Sequence, residues 1–199
     1  MSLMTAASPL PAPTPAPMTP EEFLRLPDGG QGYELIDGEL VERTVSAKSS
    51  RTGILVSSRI QHWSESHLAV WIFGPDASFR CFPDHPNSIR RADVAVILAD
   101  RMTPQEYESS TTISICPDLV VEVISPNDLA VDLVRKRLDW LEAGAKLVWI
   151  VDPEDRSVQV YACGARPVIC TAEDSLPGEP VLPGFAVPVA DLFRLPTKA

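Results

Sequence analysis

At 199 residues the chain has the length of one domain with a substantial core. Its formal charge of −10 excludes a protein that coats nucleic acid by bulk electrostatics, because counterion-release binding requires many phosphate contacts from Lys and Arg. The apolar runs fall far short of the ~18 residues that a membrane span requires. The four cysteines (Cys81, Cys116, Cys163 and Cys170) form no CxxC pair and have no histidine at zinc-site spacing, so they read as reduced, mostly buried thiols.

Residues 1–18 alternate proline with small residues and carry neither a charged n-region nor a continuous apolar h-region, so they do not resemble a signal peptide. A cytoplasmic protein is expected. Six prolines from Pro9 to Pro20 remove backbone donors and fix φ, which predicts an extended or disordered arm ahead of a single domain over residues 19–199.

Thr19, Pro20 and Glu22 supply an N-cap, a first-turn proline and a capping-box glutamate, which predicts a short helix ending near Pro27 and lying as a lid on the sheet. Asp37-Gly38 between Tyr33-Glu34-Leu35-Ile36 and Leu40-Val41-Glu42 is a strong hairpin signal. Over residues 49–68, Ile54, Leu55, Ile60, Trp63 and Leu68 recur at roughly helical spacing and predict the first long helix. Strands are predicted over residues 70–73, 77–82 and 92–98, the last being apolar enough for burial on both faces. After a loop with one helical turn at Thr103-Pro104, residues 118–124 form a second buried strand. A helix then runs to Ala143 and stops at Gly144, and residues 146–151 and 158–161 form a strand pair. The C-terminal segment, closing over residues 189–193, is expected to cover the core.

Two of these buried strands each carry one carboxylate among apolar neighbours, Asp93 and Glu122. An ionised carboxylate inside a sheet is costly unless it meets a cation, a metal or a proton. Each needs a partner, and the two could share one. Alternatively, Asp93 pairs with Arg90 or Arg91 at a strand end and Glu122 lies at a solvent-facing tip. On the following helix, at about 100° per residue from Leu129, Lys136 falls beside the Leu133 and Trp140 stripe, with Arg135, Asp139 and Glu142 on the polar side. Lys136 can therefore point back toward Glu122. Arg137 also lies within the apolar arc, and a lysine that merely snorkels satisfies the same pattern.

Five segments together resemble the Uma2 family, across nearly the whole chain from about Thr19 to Phe193. They are Tyr33-Glu34-Leu35-Ile36-Asp37-Gly38-Glu39-Leu40, Arg91-Ala92-Asp93-Val94-Ala95, Pro117-Asp118-Leu119-Val120-Val121-Glu122-Val123-Ile124-Ser125-Pro126, the helix from Lys136 to Gly144, and Trp149-Ile150-Val151-Asp152-Pro153. The resemblance implies an α/β fold of the restriction-endonuclease-like, PD-(D/E)XK type: a mixed sheet flanked by helices, with an N-terminal hairpin. It implies Asp93 and Glu122 as ligands of Mg²⁺ or Mn²⁺, with Glu34 joining them. Ile124 stands where the usual E-x-K lysine would be, and Lys136 takes that role. The implied activity is metal-dependent phosphodiester hydrolysis in DNA by a bacterial homodimer, and the alternative is a nuclease-like scaffold that binds a partner without cutting. Arg43, Lys48, Arg51, Arg90, Arg91 and Arg135 are candidates for holding the nucleic-acid backbone.

Overall fold

The computed structural model describes residues 16–196. The expected proline-rich arm falls largely on residues 1–15, outside the described residues. Within residues 16–18, the Met18 amide donates to Gly38 O at 2.9 Å.

Six strands form the central sheet in the order β3-β4-β5-β6-β7-β8: β3 (Val70–Phe73), β4 (Val94–Leu98), β5 (Leu119–Val123), β6 (Leu147–Asp152), β7 (Ser157–Ala162) and β8 (Val168–Cys170). The β5–β6 pairing is parallel and the others are antiparallel. A parallel neighbour needs a long crossover, and the chain supplies it as helix α4 (Ala130–Glu142) between β5 and β6. The sequences VAVIL, LVVEV and LVWIVD of β4, β5 and β6 are buried almost throughout, as strands covered on both faces must be.

One face of the sheet packs on helix α2 (Ala47–Ser64) and on the C-terminal segment. Val56, Ile60 and Trp63 meet Val96, Val121 and Trp149, while Leu182, Phe185, Val189 and Leu192 close over them. The other face packs on α4, with Ala95, Ile97, Val120 and Val148 against Trp140, Phe79 and Phe82. A third, smaller cluster of Phe23, Leu35 and Ile89 lies under the N-terminal hairpin. No helix among the described residues is long and apolar enough to cross a membrane.

The capped turn α1 (Pro20–Phe23) forms with its full capping box, and Phe23 inserts under the hairpin rather than onto the six-stranded sheet. The hairpin itself, β1 (Tyr33–Ile36) and β2 (Glu39–Glu42), turns on Asp37 (φ 50°) and Gly38 (φ 87°), the doubly positive pair that a tight type I′ turn demands. Helix α2 starts at Ala47, on a Ser46 cap, and ends at Ser64. Its buried stripe runs through Val56, Ile60 and Trp63, leaving Ile54 67 % exposed. Residues 77–82 form no continuous strand: Phe79 makes isolated bridges to Arg90 and Ile113, because two neighbours approach one residue from either side. The turn after Thr103 is the capped helix α3 (Pro104–Ser109).

Candidate active site

Four elements bring charge to one cavity of about 640 Å³, lined among others by Glu34, Arg43, Asp93, Glu122, Arg135 and Lys136. Glu34 comes from β1, on the inward side of the hairpin. The hairpin is tied to the approach to β4 by reciprocal bonds between Leu35 and Ile89, at 2.9 and 2.8 Å. This leaves the Glu34 carboxylate 2.7 Å from the Arg91 amide and 3.3 Å from Arg90 Nη1.

Asp93 immediately precedes β4, and Glu122 is the fourth residue of β5. Val94 pairs with Val121 across these antiparallel strands, so extending the register by one residue sets Asp93 opposite Glu122 on the same face of the sheet. Asp93 Oδ2 accepts from the Val123 amide at 2.7 Å, and its Oδ1 meets Arg43 Nη2 at 3.1 Å. The Glu122 side chain is 3 % exposed, so it lies within the protein rather than at a solvent-facing tip. Its two oxygens take different donors from α4: Trp140 Nε1 at 2.8 Å and Lys136 Nζ at 2.9 Å. Because Lys136 and Trp140 are four residues apart, they share one helix face and reach one carboxylate. Lys136 also meets Glu34 Oε1 at 3.1 Å and donates to Arg91 O at 2.9 Å. Arg137, the competing cation of the apolar arc, instead lies 4.2 Å over the Tyr161 ring.

This arrangement is short of positive charge around Glu122. Burial first, then the Asp93 and Glu34 carboxylates, push its acid up to about 7 against the pull of Lys136. Burial alone would weaken the Lys136 ammonium, but Glu122, Glu34 and Asp93 outweigh it and hold Lys136 above the usual lysine range, fully protonated at neutral pH. Glu34 is also penalised by burial, yet Lys136, Arg90, the Arg91 amide and Arg43 keep it below the usual carboxylate range. An all-oxygen set with surplus negative charge suits a hard divalent cation such as Mg²⁺ or Mn²⁺. By this criterion the residues fit such an ion.

Among the described residues, the set of three whose ligand atoms all lie within 4.8 Å of one another is a different one: His85, Asp139 and Glu142. Glu34, Asp93 and Glu122 are not drawn together to that spacing, with the Lys136 ammonium standing between Glu34 and Glu122. Within the other set, Asp139 is held by Arg90, and His85 Nδ1 by Asp37 Oδ1 at 2.7 Å.

Asp139 departs from the expected polar side of α4: it is buried, because Arg90 on the loop before β4 packs over that flank and widens the helix's covered arc. The solvent side of α4 is mixed, with Val131, Val134 and Leu138 exposed beside Asp132, Arg135 and Glu142. Arg90 and Arg91 do not pair with Asp93. They are 2 % and 3 % exposed, committed to Glu34 with Asp139 and to Gly29 O, so neither is a surface phosphate contact. Lys48 pairs with Glu154, Arg51 donates to Arg194 O, and Arg135 pairs with Asp37. Three participants escaped sequence reasoning: Arg43 as the partner of Asp93, Arg90 as the bridge between Glu34 and Asp139, and Trp140 as a donor. Only Trp140 carried a signal, its place one turn after Lys136.

A solved structure with this architecture is the crystal structure of a putative nuclease belonging to DUF820 from Anabaena variabilis ATCC 29413. It has a TM-score of 0.76 and 22 % identity, covering 89 % of this chain and 98 % of that one, and so carries the nuclease-like fold. No curated protein matches the chain. The family model of Uma2, described as "Putative restriction endonuclease", matches residues 20–190, and the chain therefore belongs to the Uma2 family.

Proposed function

We propose that the protein is a divalent-metal-dependent endonuclease that hydrolyses phosphodiester bonds in DNA, with Asp93, Glu122 and Glu34 as metal ligands and Lys136 as the catalytic cation. The observation that carries this reading is the convergence of three carboxylates and one half-buried, protonated lysine on a single cavity. Membership in a family described as "Putative restriction endonuclease" supports the reaction class.

When bound, Mg²⁺ or Mn²⁺ polarises the scissile phosphate and lowers the pKa of a bound water. The chain's own residues do the rest. Glu122 and Glu34 hold the Lys136 ammonium in place, so its positive charge is preorganised for the charge that develops on the phosphate. Lys136 serves as an electrostatic partner rather than a base, because its carboxylate neighbours keep it protonated. Trp140 fixes the orientation of Glu122 from behind. A homodimer presenting one site to each strand completes the proposal, and the exposed Val131, Val134 and Leu138 of α4 offer apolar contact area for it.

The test is Mn²⁺ titration calorimetry beside a plasmid-nicking assay on wild type, Asp93→Asn and Lys136→Met. Asp93→Asn is expected to lose both metal binding and nicking. Lys136→Met is expected to retain metal binding and lose nicking by a hundredfold or more, in the range of a lost transition-state charge contact, about 10²–10³. Metal binding without nicking in wild type would sink the catalytic reading and favour the scaffold that binds without cutting.

A further inference from the structure

Every cation lining the cavity already holds a carboxylate. Lys136 holds Glu34 and Glu122, Arg90 holds Glu34 and Asp139, and Arg135 holds Asp37. Arg43 holds Asp93, and its position differs from the rest. One oxygen of Asp93 is committed to the sheet through the Val123 amide, and Arg43 takes the other. The Arg43 side chain is 10 % exposed, and its Nη1 donates to Pro75 O at 2.8 Å, so a single side chain ties Asp93 to the turn that follows β3. Among the described residues that turn has one other side-chain tether to the hairpin region, Gln31 Nε2 to Asp76 Oδ1 at 3.3 Å.

We infer that Arg43 is a built-in counter-ion that competes with the divalent cation for Asp93, so that filling the site releases both Asp93 and the residue 75 turn from the guanidinium. The inference rests on the reading of Asp93 as a metal ligand. Its physical basis is simple. A divalent ion arriving at Asp93 meets a fixed positive charge 3.1 Å from the carboxylate oxygen, and in a poorly solvated cleft that repulsion is weakly screened. The resting protein is thereby protected from an uncompensated carboxylate, at the expense of metal affinity. Arg43 also sits one residue beyond β2, with its amide bonded to Gly32 O at 2.8 Å, so its backbone stays anchored when its side chain lets go.

The experiment is Mn²⁺ calorimetry on the full chain as wild type, Arg43→Gln, Arg43→Lys and Asp93→Asn, with amide hydrogen exchange followed at residues 74–78. Arg43→Gln is expected to bind Mn²⁺ about tenfold more tightly or better, since one removed like charge at this range is worth at least that. Arg43→Lys, which keeps the charge, stays within about threefold of wild type by the same reasoning. Saturating Mn²⁺ should raise exchange in the 74–78 turn of wild type, whereas the turn of Arg43→Gln should exchange fast from the start. Equal or weaker binding by folded Arg43→Gln, with binding still lost in Asp93→Asn, overturns the inference and leaves the metal site standing. Absence of Mn²⁺ binding in every protein overturns both. Should Arg43→Gln fail to fold, the wild-type turn decides, and an unchanged exchange rate on saturation refutes competition.

Discussion

Glu122 concentrates the physics of this protein in one side chain. It is an acid placed in a buried strand position, given an indole and an ammonium as donors, and crowded by two further carboxylates. Its proton affinity is raised in the fold to about 7, above the unfolded value, so its contribution to stability is fully present below pH ~4.5 and is lost as pH rises through 7. Glu34 shifts the opposite way, and its contribution is lost only as pH falls below the ordinary carboxylate range. The window from pH 5.5 to 8 therefore isolates Glu122. In metal-free protein, the stability of wild type relative to Glu122→Gln is expected to fall by about 2 kcal/mol across that window, since the first pH unit above the unfolded value lies outside it and each pKa unit is worth ~1.4 kcal/mol. Urea melts at several pH values check this, and a flat difference would mean that Glu122 stays ionised throughout. The lysine and both strand carboxylates were visible as charges in apolar surroundings. Their partners were not, because an ion pair such as Arg43 with Asp93 joins residues fifty positions apart that share no local pattern.

The hairpin and α4 are the two elements that build the site around the sheet. The hairpin was fully legible, since Asp37-Gly38 between apolar flanks admits few other conformations, and it delivers Glu34 inward and Arg43 just beyond its second strand. A Cβ at Gly38 would fall 2.4 Å from Pro17 Cβ at a φ of +87°. Gly38→Ala is accordingly expected to cost roughly 1–3 kcal/mol, the range for a strained non-glycine residue at positive φ. It should also loosen the hairpin selectively, read as faster amide exchange at Leu35 and Ile89 with β5 and β6 unchanged. Helix α4 was legible in its extent and only half legible in its facing. Helical periodicity assumes that apolar residues face inward, whereas this helix buries Asp139 beside Trp140, half-buries Lys136 and turns Val131, Val134 and Leu138 outward. The reason is the cavity: a helix that must supply charge to a site puts polar groups where the core would otherwise be.

For the molecule as a whole, the charge of −10 coexists with a cavity whose cations are all paired. A polyanion gains little from such a surface until divalent ions offset it. DNA binding by the intact protein is expected to need Mg²⁺ or Mn²⁺ and to weaken with salt along a shallow log–log slope of about −2, because each phosphate neutralised contributes ~0.9. Fluorescence anisotropy across a range of salt concentrations measures it directly. A slope several units steeper would contradict this and point to an extended basic track instead.

Sequence alone determined the layers. Continuous apolar runs make β4, β5 and β6 central, since a strand buried on both faces has no polar side to show. Capping boxes and the Asp37-Gly38 turn set the starts and reversals, because caps and turns are satisfied within a few residues. Tertiary structure alone decided which charges meet. It set Asp93 opposite Glu122 through strand register, slid Lys136 between Glu34 and Glu122, and gave Asp93 to Arg43 rather than to Arg90. Coulombic pairing depends on distance in space rather than separation along the chain, and that distance exists only after the hairpin, the sheet and α4 have packed together.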